Sequence, residues 1–470
     1  RARILNLQHI CISAMASISK LLLLLLCTYH TLVAHAGDDL RSYKPVGSPE
    51  SATVNCSQPK AATPSSGGVT VPLHHRHGPC SPLPSTKAPT WEEILRHDQL
   101  RAAYVTRKFS GVKGGAGDVE QSDVTLPTRL GTSMSTLEYV ITVGIGSPAV
   151  TQTMTIDTGS DVSWVQCKPC SQCRSQANPL FDPSSSSTYS PFSCSSAACA
   201  QVSQDGQGNG CSGSQCQYIV TYGDQSSTAG TYSSDTLALG SITVRNFQFG
   251  CSQSNSGLLL TQQTAGLMGL GGGAESLVSQ TAGTLGRAFS YCLPPNPGSR
   301  GFLTLGAPTS TSGFVTTPMY RNRGALTFYA VRLQAIRVGG RQLNIPASVF
   351  SAVSIVDSGT IITRLPPTAY SALASAFKAG MKRYPTSGGS DTCFDFSGQS
   401  NISVPSVALV FSGGAVVNLA FDGIIQDGCL AFTDSGDDRS IGIIGNVQQR
   451  TFEVLYDVGG GSFGFKAGAC

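Results

Sequence analysis

Two short stretches of the sequence place a carboxylate, a glycine and two hydroxyl side chains in the same order. Residues 157–160 read Asp-Thr-Gly-Ser and residues 357–360 read Asp-Ser-Gly-Thr, and β-branched residues precede both. A glycine two positions after an aspartate lets the backbone approach the carboxylate, and the hydroxyl after it can donate a hydrogen bond. One such stretch would be an ordinary turn, but two copies predict a shared site. Its candidate residues are Asp157, Thr158, Gly159, Ser160, Asp357, Ser358, Gly359 and Thr360.

The chemistry of such a site follows from its two carboxylates. At a separation of ~3 Å and an effective dielectric of about 20, two bare negative charges repel by roughly 5 kcal/mol, equivalent to about four pK units. Asp157 and Asp357 are therefore expected to share one proton. The ionised carboxylate can act as general base towards a water molecule while the protonated one donates to a carbonyl oxygen, with the highest activity in acid. Which aspartate holds the proton stays open.

The distribution of histidine excludes other common catalytic sites. Every histidine lies at or before residue 97. If the sequence before about residue 125 is removed, the remaining protein cannot hold a Ser-His-Asp or Cys-His site or a histidine-ligated metal. Carboxylates are left as the acid–base groups, and we predict no metal and no other cofactor.

The segments around the two aspartates have the alternation of short β-strands. Apolar residues alternate through residues 139–145, and similar strands before or between glycine turns recur at residues 328–338, 407–411 and 452–456. Helical patterns beyond the first third of the chain are confined to residues around 274–283 and 367–381. This texture predicts an all-β protein with few short helices.

The repetition of the aspartate stretch predicts two homologous lobes. An apolar segment containing glycine follows each copy, at residues 266–270 and at residues 443–446. We therefore predict an N-terminal lobe at residues 126–312 and a C-terminal lobe at residues 313–470, related by a pseudo-twofold axis. The two aspartates would meet in the cleft between them.

The composition favours a secreted protein and excludes a nucleic-acid-binding one. Only 12% of the residues are charged, against ~25% in average soluble domains. The formal net charge is +4 and no long basic tract is present, so the footprint of a nucleic-acid-binding protein is missing. Residues 15–36 have the order of a secretory signal peptide, whose apolar run is far shorter than the ~20 residues of a membrane-spanning helix. Residues 1–14 are interpreted as translated leader sequence.

Residues 37–125 are predicted to be a propeptide. A capping box at Thr90 and Glu93 predicts a helix over residues 91–108. From Arg96 to Lys113 the sequence carries an excess of basic side chains, with Asp98 as the one acidic residue. The basic residues are Arg96, Arg101, Arg107, Lys108 and Lys113. Two interpretations stay open: a solvated basic face, or a cover for an acidic cleft.

Twelve cysteines lie from residue 167 onward, an even number that is compatible with disulfides in an oxidising compartment. They are Cys167, Cys170, Cys173, Cys194, Cys199, Cys211, Cys216, Cys251, Cys292, Cys393, Cys429 and Cys470. The Cys-x-x-Cys-x-x-Cys spacing at residues 167–173 would also suit zinc or a redox pair. The predicted secretion and the lack of a βαβ pattern around these cysteines favour disulfides.

Residues 137–470 resemble a pepsin-type aspartic endopeptidase, in particular the plant nepenthesin-like branch. The resemblance rests on the two aspartate stretches, on Trp164 and on residues 222–224, and the cysteine-rich stretch at residues 167–216 is similar to an insert of that branch. It implies a bilobal pepsin-like fold and a β-hairpin flap that closes over the substrate. The candidate flap residues are Tyr222, Gly223, Asp224 and Trp164.

The same resemblance implies a secreted zymogen that hydrolyses peptide bonds in proteins at acidic pH and that its own propeptide inhibits. We expect a monomer without stable membrane association in the secretory pathway. The apoplast or cell wall is favoured over the vacuole, and the choice between them stays open. A disulfide between Cys393 and Cys429 is implied in the second lobe, and Asn401 is a glycosylation candidate. The family usually has glycine where Gln225 stands, which would reshape the flap tip.

A second interpretation is a catalytically silent binding protein on the same fold, similar to the plant xylanase inhibitors. Such proteins usually lack part of the aspartate pair or its hydroxyl neighbours, and this sequence has all of them. The endopeptidase is therefore favoured. A structural wall protein would need repeats that the sequence does not show.

Overall fold

The computed structural model describes residues 40–43, 64–65, 67–83, 90–110, 139–222, 226–257, 259, 263–294, 299–308, 310–388 and 392–470. The predicted leader sequence, the signal peptide and the junction between propeptide and first lobe lie outside the described residues. So do Gly223, Asp224 and Gln225 of the predicted flap tip.

The leading segment, which comprises the described residues between 40 and 110, contributes two strands and one helix. They are β1 (Leu40–Tyr43), β2 (Val69–His75) and α1 (Trp91–Phe109). The predicted start of α1 is confirmed, because Thr90 Oγ1 accepts a hydrogen bond from the backbone N–H of Glu93 and the Glu93 carboxylate accepts one from the N–H of Thr90. This reciprocal cap satisfies two of the donors that a helix start leaves unpaired.

The first lobe, residues 139–308, is built mainly of strands. Its elements are β3 (Tyr139–Ile145), β4 (Val150–Asp157), β5 (Trp164–Gln166), β6 (Ser190–Pro191), α2 (Ala197–Gln204), β7 (Gly208–Ser212), β8 (Gln215–Thr221), β9 (Ser227–Leu239), β10 (Ile242–Asn255), β11 (Gly266–Gly269), α3 (Leu277–Leu285), β12 (Ala288–Cys292) and β13 (Arg300–Leu305).

The predicted second lobe, residues 313–470, has the same character. Its elements are β14 (Val315–Pro318), β15 (Tyr320–Asn322), β16 (Ala325–Val331), β17 (Leu333–Val338), β18 (Arg341–Gln342), β19 (Ser354–Val356), β20 (Thr363–Leu365), α4 (Pro367–Gly380), β21 (Ile402–Pro405), β22 (Val407–Phe411), β23 (Ala415–Asn418), β24 (Ile425–Gln426), β25 (Cys429–Leu430), β26 (Phe432–Asp434), β27 (Gly442–Ile444), α5 (Asn446–Gln449), β28 (Phe452–Asp457) and β29 (Ser462–Ala467).

One sheet of fifteen strands contains elements of both lobes and of the leading segment. Its path is β14-β29-β28-β12-β13-β2-β3-β4-β11-β5-β10-β9-β8-β7, with β6 paired to β9. β2 therefore lies inside the sheet, antiparallel to β13 on one side and to the start of β3 on the other. Its apolar residues Val71 and Leu73 are buried in the core. The second lobe adds a six-stranded sheet, β15-β16-β19-β27-β20-β26, and a four-stranded sheet, β18-β17-β22-β23.

The predicted internal repeat is visible in the strand pairing. In the first lobe β4 pairs parallel to β11, which pairs antiparallel to β5. In the second lobe β19 pairs parallel to β27, which pairs antiparallel to β20. Each aspartate stretch thus follows the first strand of the same three-stranded arrangement. The prediction of a bilobal all-β fold is confirmed.

The prediction that helices are confined to two regions was wrong, because α2 and the single turn α5 also form. α2 lies in the cysteine-rich insert, where Ser196 Oγ accepts a hydrogen bond from the N–H of Cys199. The Cys199–Cys216 disulfide ties this helix to β8. With only Cys199 and Val202 buried, the helix is too short to show an apolar periodicity in the sequence.

The twelve cysteines selected from the sequence all form disulfides. The pairs are Cys167–Cys251, Cys170–Cys173, Cys194–Cys211, Cys199–Cys216, Cys292–Cys470 and Cys393–Cys429. The predicted pairing of Cys393 with Cys429 is confirmed. The zinc and redox interpretations of the Cys-x-x-Cys-x-x-Cys spacing are excluded. Its first cysteine, Cys167, bonds to Cys251, and its other two, Cys170 and Cys173, bond to each other.

Candidate active site

Asp157 is the last residue of β4, a strand whose final six residues are buried. The N–H of Leu270, directly after β11, donates to the backbone carbonyl of Asp157 at 2.8 Å. In the turn that follows, the N–H of Gly159 donates to Asp157 Oδ1 at 2.9 Å and Ser160 Oγ donates to Asp157 Oδ2 at 2.7 Å. Two donors from its own stretch therefore fix the carboxylate.

Asp357 lies directly after β19 in equivalent surroundings. Its N–H donates to the carbonyl of Ile444, in β27, at 3.1 Å. The N–H of Gly359 donates to Asp357 Oδ1 at 3.1 Å, and Thr360 Oγ1 donates to Asp357 Oδ2 at 2.6 Å. Both hydroxyl donors are those that the sequence selected. With the leading segment in place, the carboxylates of Asp157 and Asp357 are both fully buried.

The two turns contact each other across the lobes. The N–H of Thr158 donates to Ser358 Oγ at 3.1 Å, and the N–H of Ser358 donates to Thr158 Oγ1 at 2.9 Å. A β-carbon on Gly159 would lie 3.0 Å, and one on Gly359 2.9 Å, from a carboxylate oxygen of the opposite lobe's aspartate. The Arg101 guanidinium would be nearer still, 2.3 Å from the first β-carbon and 2.6 Å from the second. Glycine fits at both positions because each turn lies against the other lobe's carboxylate and against Arg101. The structure thus brings together all eight residues of the two predicted stretches.

The guanidinium of Arg101, in the middle of α1, binds both carboxylates. Arg101 Nη2 lies 2.6 Å from Asp157 Oδ1 and 2.9 Å from Asp357 Oδ1. Arg101 Nη1 lies 3.1 Å from Asp157 Oδ2, and Arg101 Nε lies 3.1 Å from Asp357 Oδ2. A planar guanidinium with donors on three nitrogens can bind two carboxylates at once, whereas an ammonium acts as a point charge. Because its guanidinium binds both carboxylates, α1 covers the aspartate pair.

Burial and ion pairing have opposite effects on the ionisation of this cluster. Burial alone would raise the pKa of Asp157, but the Arg101 guanidinium and the hydrogen bonds from Ser160 and Gly159 lower that pKa below its usual range. Burial alone would lower the pKa of Arg101, but the two aspartates raise it well above its ordinary value. The arginine therefore supplies the positive charge that a shared proton would supply to an uncovered pair.

Two separate apolar contacts hold α1 against the second lobe. Near its start, Trp91, Ile94 and Leu95 pack against Ile361, Ile362, Ala431 and Val447. Farther along, Ala102, Tyr104, Val105 and Phe109 pack against Ala325, Phe328, Val353, Ile355, Ile441 and Ile443. α1 therefore occupies the wall of the second lobe on both sides of Arg101, and a peptide could not reach the aspartates while the helix is bound.

Between these apolar contacts, Asp98 of α1 is fully buried against the second lobe. Asp98 Oδ1 accepts a hydrogen bond from the N–H of Ile361 at 2.5 Å, and Asp98 Oδ2 accepts one from Arg364 Nη2 at 3.1 Å. Burial raises the pKa of Asp98 to about 6, and the nearby Arg364 offsets only part of that effect. A second ion pair, with the charges reversed, thus lies beside the Arg101 contact.

Tyr222 follows β8 and stands beside Trp164, as the resemblance implied. Trp164 Nε1 donates to Tyr222 Oη at 2.7 Å. The N–H of Tyr222 donates to the carbonyl of Ser226 at 2.9 Å, which closes the hairpin between β8 and β9. Burial raises the pKa of Tyr222 well above its usual value, so its hydroxyl stays protonated. The tip residues of this hairpin lie outside the described residues, and the role of the flap stays a prediction.

The remaining predicted site is Asn401, which is exposed directly before β21. Its glycosylation stays a prediction. Within the described ranges, no group of three or more histidine, cysteine, aspartate or glutamate side chains is placed to bind a metal ion. In the same ranges, no helix combines the length and the apolar character needed to cross a membrane.

Sequence analysis missed the specific contacts of the leading segment. It named Arg101 as one of five basic residues and Asp98 as the acidic exception, but it did not single out either or Arg364 as a contact. The signal that could have found the first two is their spacing, since residues three apart lie on the same face of a helix. Arg96 and Arg107, by contrast, are exposed. The cleft-covering interpretation holds for Arg101 and extends to Lys108. Burial alone would lower the pKa of Lys108, but Tyr104 and the carboxylates of Asp161 and Asp157 raise it. Lys113 lies outside the described residues.

Comparisons with known proteins agree with the two lobes. A family profile described as xylanase inhibitor N-terminal matches residues 139–307, and one described as xylanase inhibitor C-terminal matches residues 328–467.

Curated relatives extend this similarity over most of the chain. An aspartyl protease family protein of Arabidopsis thaliana is 42% identical over 436 residues, which cover 90% of this chain and 91% of the relative. Aspartyl protease AED1 of the same species is 40% identical over 409 residues, covering 84% and 85% respectively. Aspartic proteinase nepenthesin-2 of Nepenthes gracilis is 38% identical over 340 residues, covering 68% and 75%.

Solved structures share the fold at lower sequence identity. The crystal structure of basic 7S globulin from soybean has a TM-score of 0.56 and 21% identity, covering 71% of this chain and 92% of that one. The crystal structure of edgp has a TM-score of 0.57 with the same identity and coverage. At this identity the likeness shows the fold alone.

Proposed function

The chain belongs to the plant pepsin-like aspartic proteases, and on that premise we propose that it is the zymogen of an endopeptidase that hydrolyses proteins at acidic pH. The observation that carries this proposal is the aspartate pair. Asp157 and Asp357 come from equivalent strands of two lobes, and each carboxylate accepts one backbone and one hydroxyl hydrogen bond.

Once Arg101 leaves, mutual repulsion would make the two carboxylates share one proton. The ionised carboxylate takes a proton from a water molecule, whose oxygen adds to the carbonyl carbon of the substrate, while the other carboxyl group gives its proton to the carbonyl oxygen. Collapse of the tetrahedral intermediate breaks the carbon–nitrogen bond as the amine is protonated. The buried hydroxyls of Ser160 and Thr360 hold the two carboxylates in place throughout.

Latency of this zymogen would come from α1. The helix lies where the substrate must bind, and its Arg101 occupies the aspartate pair. Protonation of the aspartates in acid removes the charge that holds Arg101, which allows α1 to leave and the propeptide, residues 37–125, to be cleaved. The proposed trigger is therefore the ionisation of the catalytic pair itself.

The expected setting is outside the cell. Six disulfides between described cysteines favour folding in an oxidising compartment, and the predicted signal peptide supports secretion, with the apoplast or cell wall favoured over the vacuole. The proposed enzyme is a monomer that needs no cofactor, acts on protein or peptide substrates and forms no stable membrane association.

The matching family profiles carry the description xylanase inhibitor, which favours a second candidate, a catalytically silent binding protein. The intact pair argues against it, because such a protein has no need of two carboxylates with all their donors. We therefore rank the protease first.

Acid treatment of the secreted full chain tests the proposal. We expect the chain to shorten at about pH 3–4 and then to cleave a denatured protein in a pepstatin-sensitive manner. Asp157→Asn should lower this activity by about 10²–10⁴-fold because it removes a general acid–base group. Asp437→Asn, at a half-exposed carboxylate, is the matched control. An Asp157→Asn protein as active as the control would overturn the proposal and would favour the second candidate, the catalytically silent binding protein.

A further inference from the structure

The partners of Asp98 on the second lobe form a preorganised anion-binding site. Ile361, whose N–H donates to Asp98 Oδ1, directly follows Thr360 of the second aspartate stretch. Arg364, which donates to Asp98 Oδ2, lies in β20. A neutral carbonyl group would be satisfied by the N–H of Ile361 alone. The additional guanidinium of Arg364 therefore indicates that this position binds a carboxylate.

Arg364 is held by the fold rather than by α1. Its backbone pairs with β26 on one side and β27 on the other, opposite Thr433 and Ile443. Its side chain is 12% exposed, and among the described residues Asp98 is the only carboxylate within ion-pair distance. Arg364 Nε is buried and has no hydrogen-bond partner within the described ranges. Departure of α1 would therefore leave a fixed cation without a carboxylate partner on the cleft wall.

The acidic and basic groups nearest to this site are few. A cavity between α1 and the second lobe is lined by Arg364 and by Asp434 of β26. The Oδ1 atom of Asp434 accepts a hydrogen bond from the N–H of Gly436, and Asp434 does not pair with Arg364. Arg107 also lines the cavity, and like Asp98 it belongs to α1 and would leave with it.

We propose that Arg364 and the Ile361 N–H form a substrate subsite that binds an aspartate or glutamate side chain near the cleaved bond. This inference rests on the proposed protease function and adds a substrate class to it. In the zymogen, Asp98 occupies the place of the substrate carboxylate, just as Arg101 occupies the place of the reacting groups.

The structure limits where the acidic residue binds. Asp98 precedes Arg101 by three helical residues, a rise of about 4.5 Å along the axis, while an extended peptide advances about 3.3 Å per residue. The acidic substrate residue therefore lies within about three residues of the cleaved bond. A cavity of about 540 Å³ adjoins Arg364 between α1 and the second lobe, which leaves room for a side chain as long as glutamate.

Matched peptides test the subsite. A library places glutamate or its neutral isostere glutamine at each of three positions on either side of one cleavable bond, and kcat/KM is measured with the acid-activated full-length protein. At one position we expect kcat/KM to be about 10 to 100 times higher for the glutamate peptide than for the glutamine peptide at pH 5. A ratio of this size corresponds to the contribution of one charged hydrogen bond. The ratio should shrink by pH 3, because the glutamate carboxyl, with a reference pKa of about 4.3, is then protonated.

Variants at Arg364 identify the residue responsible. Arg364→Gln should bring the ratio close to one, Arg364→Glu should replace it with a preference for lysine at that position, and Arg364→Lys should retain part of it and shows that the site tolerates substitution. Arg439→Gln, which removes a 92% exposed arginine of the same lobe, should keep the wild-type ratio.

The outcomes separate the two proposals. Cleavage of neutral peptides without any acidic preference, or an acidic preference that survives in Arg364→Gln, overturns the subsite and leaves the protease intact. Failure of the acid-treated wild-type protein to cleave any peptide overturns the proposed function, and the subsite with it.

Discussion

The two charged contacts of α1 have opposite arrangements of charge. Arg101 brings a cation from the leading segment to two carboxylates of the lobes, whereas Asp98 brings a carboxylate to a cation and an N–H of the second lobe. Both are buried and lie three residues apart on one helix. The difference between them shows that one helix can respond to acid in two opposite ways.

The direction of each response follows from the pKa values. Binding of α1 lowers the pKa of Asp157, so this contact stabilises the bound helix at neutral pH and is lost as the pH falls through the carboxylate's lowered value. Binding raises the pKa of Asp98 from 3.8 to about 6. Between those values the bound helix holds more protons than the free one, so the Asp98 contact favours binding as the pH falls from about 6 to about 4. The uncovered aspartate pair takes up its shared proton over the same range, which favours release. The Asp98 contact therefore opposes the release of α1 in mild acid, and only stronger acid should free the helix.

Removal of the arginine should have the largest effect on α1 binding. Arg101→Gln leaves two buried carboxylates uncompensated, which should weaken α1 binding by about 3–5 kcal/mol. The variant should hydrolyse a peptide substrate at pH 5 without the lag of the wild-type zymogen. Arg107→Gln, at an exposed position of the same helix, should keep the lag. A wild-type lag in Arg101→Gln would show that the apolar contacts alone maintain latency.

Neutralisation of Asp98 should remove only the second response to acid and leave the response at Arg101 in place. Between pH 6 and pH 4, Asp98 should contribute about 2–3 kcal/mol in favour of α1 binding as the pH falls. Asp98→Asn lacks this contribution, so its α1 binding should weaken more steeply than that of the wild-type chain by that amount. Amide hydrogen exchange of residues 91–109, corrected for its intrinsic dependence on pH, measures this difference. Equal pH dependence in the two proteins would contradict the assignment to Asp98.

Removal of the helix cap should have the smallest effect and should not discriminate between the two contacts. Thr90→Ala loses one capping hydrogen bond of α1, at a cost of about 1 kcal/mol. The activation lag should shorten about fivefold at every pH, and the shape of its pH profile should be unchanged. A change in shape would mean that the cap affects the charged contacts directly.

Much of the fold was predictable because its signals are local. The capping box at Thr90, the alternation in β3 and the two aspartate turns each depend on neighbours in the sequence. The site could be selected because a turn that binds its own carboxylate uses residues two and three positions away, as Gly159 and Ser160 do.

The contacts of the leading segment could not be predicted in this way. Arg101 and Asp357 are 256 positions apart in the sequence, and Asp98 and Ile361 are 263 apart. Basic side chains on a helix have similar sequence signals whether they are solvated or buried, and only the packing of α1 on the second lobe distinguishes Arg101 from Arg107. α2 was missed for a related reason, since disulfides rather than an apolar face hold it.

The position of β2 distinguishes two events of the proposed activation. One is the cleavage of the chain after α1, and the other is the departure of the leading segment. α1 is bound by side chains that acid can discharge, but β2 is joined to β13 and β3 by backbone hydrogen bonds, which do not titrate. A cut in the chain beyond α1 leaves those bonds intact. If maturation removed β2, the large sheet would lose the internal strand on which Val71 and Leu73 now pack into the core. Another segment would have to take the place of that strand between β13 and β3. In the proposed zymogen, cleavage of the chain and departure of its first segment are therefore distinct steps, and a nicked, two-piece molecule can keep its complete sheet.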